Sequence, residues 1–212
     1  MGTIKRGILG GFSGKVAGVV GSSWKGIAVI KALPLSVANP NTAAQSGNRT
    51  AFKAVGQAGS DLLTQIVKPL WDRDAQRQSG YNAFMSSNKQ AYSTAGVLTV
   101  ADFIMSLGKL AASAITTITI TDASTEVSAT WTDDSGEGDK LATDVAYLIA
   151  YNADTDEWAQ SSGAETRSDE GAAIDFESVA STGDVISVWL AFKSADGFKL
   201  YAPGSDLSNT VQ

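Results

Sequence analysis

The apolar and polar positions of this chain change period twice. Between residues 7 and 33, short β-branched runs ("KVAGVV", "GIAVIKAL") are bounded by glycines, the pattern of short strands or a hairpin. In a strand, Ile27, Val29 and Lys31 project to one side, with Trp24 just outside. From residue 42 the spacing turns to three and four. Phe52, Val55, Gly59, Leu62 and Ile66 mark one helical face. Thr42-x-x-Gln45, just after Pro40, fits a capping box, and Pro69 is placed to end or kink the helix. A second helical stretch, "AQRQSGYNAFMSSNKQAY", sets Tyr81, Phe84, Met85 and Asn88 on one side, as core.

From about residue 113 the pattern becomes that of strands. "AITTITI" alternates Ile with Thr. "EVSATWT", "DVAYLIAY", "EWAQ", "AAIDFES", "DVISVWLAFKS" and "FKLYA" follow, with Gly- and Asp-rich turns between them. Asp196-Gly197 is the strongest hairpin signal in the chain. About seven strands in about 100 residues predict an immunoglobulin-like or fibronectin-like β-sandwich. Trp131, Tyr147, Ile149, Val188 and Leu190 are its candidate core. Without cysteine it is not the disulfide-bonded antibody form. The predicted class is α+β: a glycine-rich basic arm or hairpin over 1–33, a mostly helical region over 34–110 that completes an N-terminal domain, and an acidic all-β sandwich over 111–212.

Charge sharpens this division. Residues 1–110 hold 12 Lys and Arg against 4 Asp and Glu, a net of +8; residues 111–212 hold 4 against 18, a net of −14. No acidic residue precedes Asp61. The basic half can face nucleic acid or an acidic neighbour, including the C-terminal half of another copy. A nucleic-acid role would need a continuous basic surface, and Arg49, Lys53, Arg73 and Arg77 are expected on solvated faces.

The chain has no cysteine and no histidine. That excludes a disulfide, a thiolate nucleophile, a thiolate zinc site, an iron–sulfur cluster and any Ser-His-Asp triad. The glycine-rich opening "GILGGFSGKVAGVVGSSWKG" is no Walker A loop, because Gly14-Lys15 is followed by Val16 and Leu9 stands where the first glycine belongs. It offers no GxGxxG spacing either. Lys15 and Lys25 interrupt any membrane span, which needs about 20 apolar residues. Lys5 and Arg6 resemble a charged n-region, but the run after them is broken by Lys15 and poor in leucine, which argues against a secretory signal. Arg6 stands where N-myristoylation wants Ser or Thr. Two readings stay open: a hairpin packed on its own domain, or an arm that adds strands to a neighbouring subunit.

Two acidic clusters could offer oxygen ligands to calcium: Asp133, Asp134, Glu137 and Asp139, and Asp154, Asp156 and Glu157. Neither fits the twelve-residue EF-hand loop, and solvated loop charge is the simpler reading. Nothing in the sequence fixes a carboxylate separation for glycoside hydrolysis. No active site is legible.

"GILGGFSGKVAGVVGSSWKG", "LP", "NPNTAAQ" with Arg49 and Phe52, and "SGYNAFMSSN" resemble a family of short uncharacterised proteins of Bacteroidetes-type bacteria and bacteriophages. "ATWTDDSGEGD", "TDVAYLIAYN" and "SADG…LSNTV" resemble its C-terminal portion, so the resemblance spans most of the chain. It implies a virion or phage-derived structural protein and assigns no catalytic or binding residue.

The expectation is a non-enzymatic bacteriophage virion component (capsid, vertex or tail-associated), homo-oligomeric and assembled in the host cytoplasm. Residues 1–33 are expected to lie against a neighbouring chain, with Lys5, Arg6, Lys15, Trp24, Lys25 and Lys31 as interaction residues. Its partners are copies of itself and other virion proteins, with no membrane, small-molecule substrate, cofactor or metal. The alternative is a binding module whose sandwich loops recognise a surface glycan or protein. A nucleic-acid-associated protein using the basic half comes third.

Overall fold

A computed structural model of the chain describes residues 3–4, 11–24, 27–36, 39–72, 75, 77–108, 110, 113–120, 123–195 and 205–210, with backbone alone at 3–4, 24 and 205–210. The chain divides into two compact units, Met1–Asn41 and Thr42–Gln212. The class is α+β, with helices and three small antiparallel sheets. The helical segment, which the sequence groups with the glycine-rich opening, lies in one unit with the acidic strands.

Among the described residues the first unit is a four-stranded meander, β1 (Thr3–Ile4), β2 (Phe12–Val16), β3 (Val19–Trp24) and β4 (Ile27–Ala32), in sequence order. The predicted strands are present. β2 and β3 form a hairpin around Ala17 and Gly18, with Ala17 in the left-handed region at φ 47°.

The second unit begins with α1 (Ala43–Asp61), capped as the sequence predicts. The Thr42 hydroxyl accepts from the Gln45 amide at 3.3 Å, and the Thr42 amide donates to Gln45 Oε1 at 3.1 Å. Val55, Gly59, Leu62 and Ile66 are buried. Phe52 is not: it stands on the solvent side of α1, because Ala51, Val55, Ala58 and Gly59 centre the buried stripe one residue away from it. Pro69 disturbs the helix ahead of itself. Residues Leu63–Val67 form a π-turn in which the Val67 amide reaches the Leu62 carbonyl at 3.0 Å, and α2 (Lys68–Trp71) restarts with Pro69 in its first turn. α3 (Gly80–Asn88) starts later than its stretch suggests, where the Ser79 hydroxyl accepts from the Asn82 amide at 3.2 Å. Phe84, Met85 and Asn88 are buried as expected and Tyr81 is half-buried.

Among the described residues seven strands follow: β5 (Ile115–Ile120), β6 (Glu126–Trp131), β7 (Val145–Asn152), β8 (Glu157–Gln160), β9 (Gly171–Asp175), β10 (Val185–Lys193) and β11 (Ser205–Thr210). One sheet runs β11-β10-β7-β8 and the other β5-β6-β9. The "FKLYA" segment and the Asp196-Gly197 turn lie outside the described residues; β10 pairs with β11 from Val185↔Thr210 to Leu190↔Ser205.

The two sheets share a core in which Ile118, Val127, Ala129, Trp131 and Ile174 meet Leu148, Val188, Leu190 and Phe192. The opposite face of the larger sheet is also covered. Tyr147, Ile149, Tyr151, Trp189 and Ala191 pack against Val55, Leu62, Leu70, Trp71 and Phe84 of the helices. β7 and β10 are therefore buried on both faces, in a helix–sheet–sheet stack. Phe103 is the hub of the helix side, 5.1 Å from the Trp158 ring and 5.0 Å from Trp189. The expected core residues Trp131, Tyr147, Ile149, Val188 and Leu190 are all buried, divided between the two faces.

Candidate functional site

Cross-strand register sorts the first unit into two faces. Lys15, Val20 and Lys31 lie in one row across β2, β3 and β4, so both lysines share a face with Ile27 and Val29. Phe12, Val16, Val19 and Ile30 take the other face. Glycine is required where β2 and β3 close on that side. A Cβ on Gly21 would stand 2.2 Å from the Phe12 carbonyl oxygen and 2.7 Å from its ring.

This sheet buries almost nothing. Among the described side chains of residues 1–41, Gly21 alone is buried. β4 is exposed at all six positions, with Ile27 at 61% and Ile30 at 64%. It is also an edge strand, with one row of backbone groups unpaired by the sheet. Residues 1–41 carry five Lys and Arg and no carboxylate, whereas 42–212 carry 11 against 22, a net of −11. Of the predicted interaction residues, Lys15 and Lys31 are exposed and share the basic face. Lys5, Arg6 and Lys25 lie outside the described residues, and only the backbone of Trp24 is described, paired with Ile27.

The second unit holds three charged assemblies. The first is buried. Arg167, fully enclosed, donates from Nε and Nη2 to Asp144 Oδ2 at 3.3 Å each and from Nη1 to Asp134 Oδ1 at 2.5 Å. Its guanidinium carbon lies 3.9 Å from the centre of the Phe192 ring, and its carbonyl accepts from Trp131 Nε1 at 2.9 Å. Nη1 also reaches the Ser113 hydroxyl, and Lys140 closes the mouth on Asp134. Desolvation alone would raise the Asp134 pKa, but hydrogen bonds from Lys140, Ser113 and Arg167 outweigh it and hold the carboxyl at about 2. So Asp134 of the first acidic cluster is a structural ion rather than solvated loop charge. Arg167 gives no sequence signal, because it sits in a polar loop 23 and 33 residues from its partners.

The second assembly is an acidic cleft of about 370 Å³ lined by Asp61, Asp156, Glu157, Glu177, Trp158 and Gln160. The Tyr151 hydroxyl donates to Asp156 Oδ1 at 2.8 Å, and burial together with that carboxylate raises the phenol well above its ordinary pKa. The third is a shallow basic groove beside α1 lined by Asn48, Arg49, Phe52, Lys53 and Lys89. Arg49, Lys53 and Arg77 are exposed as expected, and Arg73 lies outside the described residues.

Among the described residues no group of three or more His, Cys, Asp or Glu is placed to hold a metal ion, and no helix is long and apolar enough to cross a membrane. No curated protein and no solved structure matches the chain. A family of unknown function, DUF6266, matches residues 11–204, and the chain belongs to that family.

Proposed function

We propose that this member of the family is a non-enzymatic structural component of a bacteriophage particle, in its capsid, at a vertex or associated with its tail, assembled in the host cytoplasm through its N-terminal strands. The observation that carries the reading is the first unit itself. An antiparallel sheet needs a hydrophobic face packed on something to be stable in water, and this one exposes apolar side chains on both faces of β4. A neighbouring copy supplies what is missing: apolar cover, a strand for the β4 edge, and carboxylates for Lys15 and Lys31. The assignment to a phage particle rests on the resemblance of the N-terminal signature. Other particle proteins are partners of the same kind.

The strand order supports a finer fold reading within the proposal. The first, second and fifth of the seven strands form one sheet, and the third, fourth, sixth and seventh form the other. That distribution is the one expected of a fibronectin-like sandwich with Greek-key crossovers, here with helices laid over its larger sheet.

The test is molar mass by light scattering, for the full chain and for residues 42–212, at low and high salt. The shorter piece keeps both cores of its unit. The full chain is expected to form a multimer of more copies than residues 42–212 at either salt, and a lower mass in high salt would report the charge contribution. Equal copy numbers for the two would overturn the arm. They are also the outcome expected of the alternative, a binding module that uses the Trp158-walled acidic cleft.

A further inference from the structure

Phe52 is the only exposed aromatic side chain among the described residues, with 59% of its surface open. It does not stand alone on a polar helix. Arg49, Lys53 and Lys89 surround it in a groove of about 470 Å³, and Lys89 Nζ donates to Asn48 Oδ1 at 3.2 Å. An apolar floor with a cationic rim is unusual in a unit whose net charge is −11. Its complement is an apolar surface with an anionic rim.

One end of the same unit has that composition. Val179 and Val185 are exposed there, among Asp154, Asp156, Glu157 and Glu177. The loops that carry them are tied together. The Glu157 carboxylate accepts from the backbone amides of Glu177 and Ser178, and the Val185 amide donates to Asp154 Oδ2 at 3.1 Å. The β7–β8 turn and the β9–β10 loop therefore form one acidic knob with exposed valines.

We propose that the Phe52 groove is a docking site for the acidic loop end of a second copy of this chain. Val179 and its neighbours cover the Phe52 ring while Glu177 and Asp154 meet Lys53, Lys89 and Arg49. Groove and knob are different surfaces, so the contact is head-to-tail and repeats from copy to copy as a ring or a filament. Single-stranded nucleic acid would meet the same cations and stack on the same ring, and the experiment below separates it from a second copy. The inference shares with the proposed function the premise that copies assemble, and it uses no residue of 1–41.

The experiment uses residues 42–212, so that failure of the strand segment and failure of the groove are read separately. Two charge variants are made, Lys53→Glu/Lys89→Glu in the groove and Glu177→Lys/Val179→Lys in the knob. Phe52→Ala serves as a second groove variant whose exposed side chain supports no core. Sedimentation of the unsubstituted unit is expected to show mass rising with concentration at low salt and falling in high salt. Each variant alone should weaken self-association by roughly tenfold or more. The decisive sample is the one-to-one mixture of groove and knob variants. Each lacks one half of the original contact, so together they regain association that neither shows alone. An unsubstituted unit that stays monomeric, variants that associate like it, or a mixture that stays monomeric would each overturn the proposal. So would binding of a labelled single-stranded oligonucleotide that Lys53→Glu/Lys89→Glu abolishes while the unsubstituted unit remains a monomer.

Discussion

The two units of this chain use the same secondary structure to different ends. In the second unit β7 and β10 are covered on both faces, with Leu148, Ile149, Val188 and Leu190 all fully buried. In the first unit β4 has a full antiparallel register with β3, yet all six of its side chains are exposed. Both have their ladder hydrogen bonds, which contribute only about 1 kcal/mol each net of solvent. The difference is apolar burial, worth roughly 25 cal/mol per Å² removed from water. The comparison teaches that pairing shapes a strand and packing makes it self-sufficient; by that measure only the second unit stands alone.

The largest effect is expected where the second unit encloses charge. Arg167→Ala leaves the fully buried Asp144 without its cation, and such a truncation costs about 3–5 kcal/mol. Urea unfolding followed by tryptophan fluorescence should show that loss in the second unit. Replacing both partners, Arg167→Met with Asp144→Leu, should recover most of it, since an apolar pair of similar volume needs no ion. A single variant as stable as the original chain would show that the network stabilises nothing.

At the mouth of the same network the effect shrinks. Asp134 is paired with Arg167 and Lys140 but is partly open to solvent, so Asp134→Asn should cost about 1 kcal/mol at neutral pH. Its folded-state pKa lies below the ordinary carboxylate value, so its contribution is complete above about pH 4. That contribution is lost as pH falls through about 2. Unfolding free energies of the two proteins should therefore differ at pH 7 and converge toward pH 2. A constant difference across that window would place the effect outside the ionisation.

Much of the second unit was legible in its residues. The Thr42 cap, the late helix break at Pro69 and the strands β5 to β10 follow from short-range chemistry. The helix layer over the larger sheet is absent from the sandwich expectation, although "DVAYLIAY" and "DVISVWLAF" carry its signal: near-continuous apolar runs mark strands buried on both faces, unlike the alternating "ITTITI". Spacing at i, i+3 and i+4 admits two overlapping stripes, one of which includes Phe52, and the small residues Ala51 and Ala58 fix the other as the buried one. Asp134 reads as solvated in the sequence because its partners Arg167 and Ser113 are distant along the chain and meet it only through the fold. For the arm, the sequence displayed glycines and β-branched residues in plenty, but pairing leaves open whether a face is covered.

The smallest effect on stability is expected in the first unit, and it carries the sharpest consequence for the comparison. Gly21→Val places side-chain carbon where only 2.2 Å separates an ideal Cβ from the Phe12 carbonyl, so β2 and β3 cannot close in their register. The second unit owes nothing to that closure, and its unfolding should move by less than about 0.5 kcal/mol. Assembly should respond in the opposite proportion. The full-length variant should fall to the same number of copies as residues 42–212, because a disrupted meander presents neither the lysine row nor the β4 edge. If instead the variant keeps the multimer of the original chain, closure of that sheet is irrelevant to association. If it destabilises the second unit by several kcal/mol, the two units are energetically one and the contrast between them dissolves.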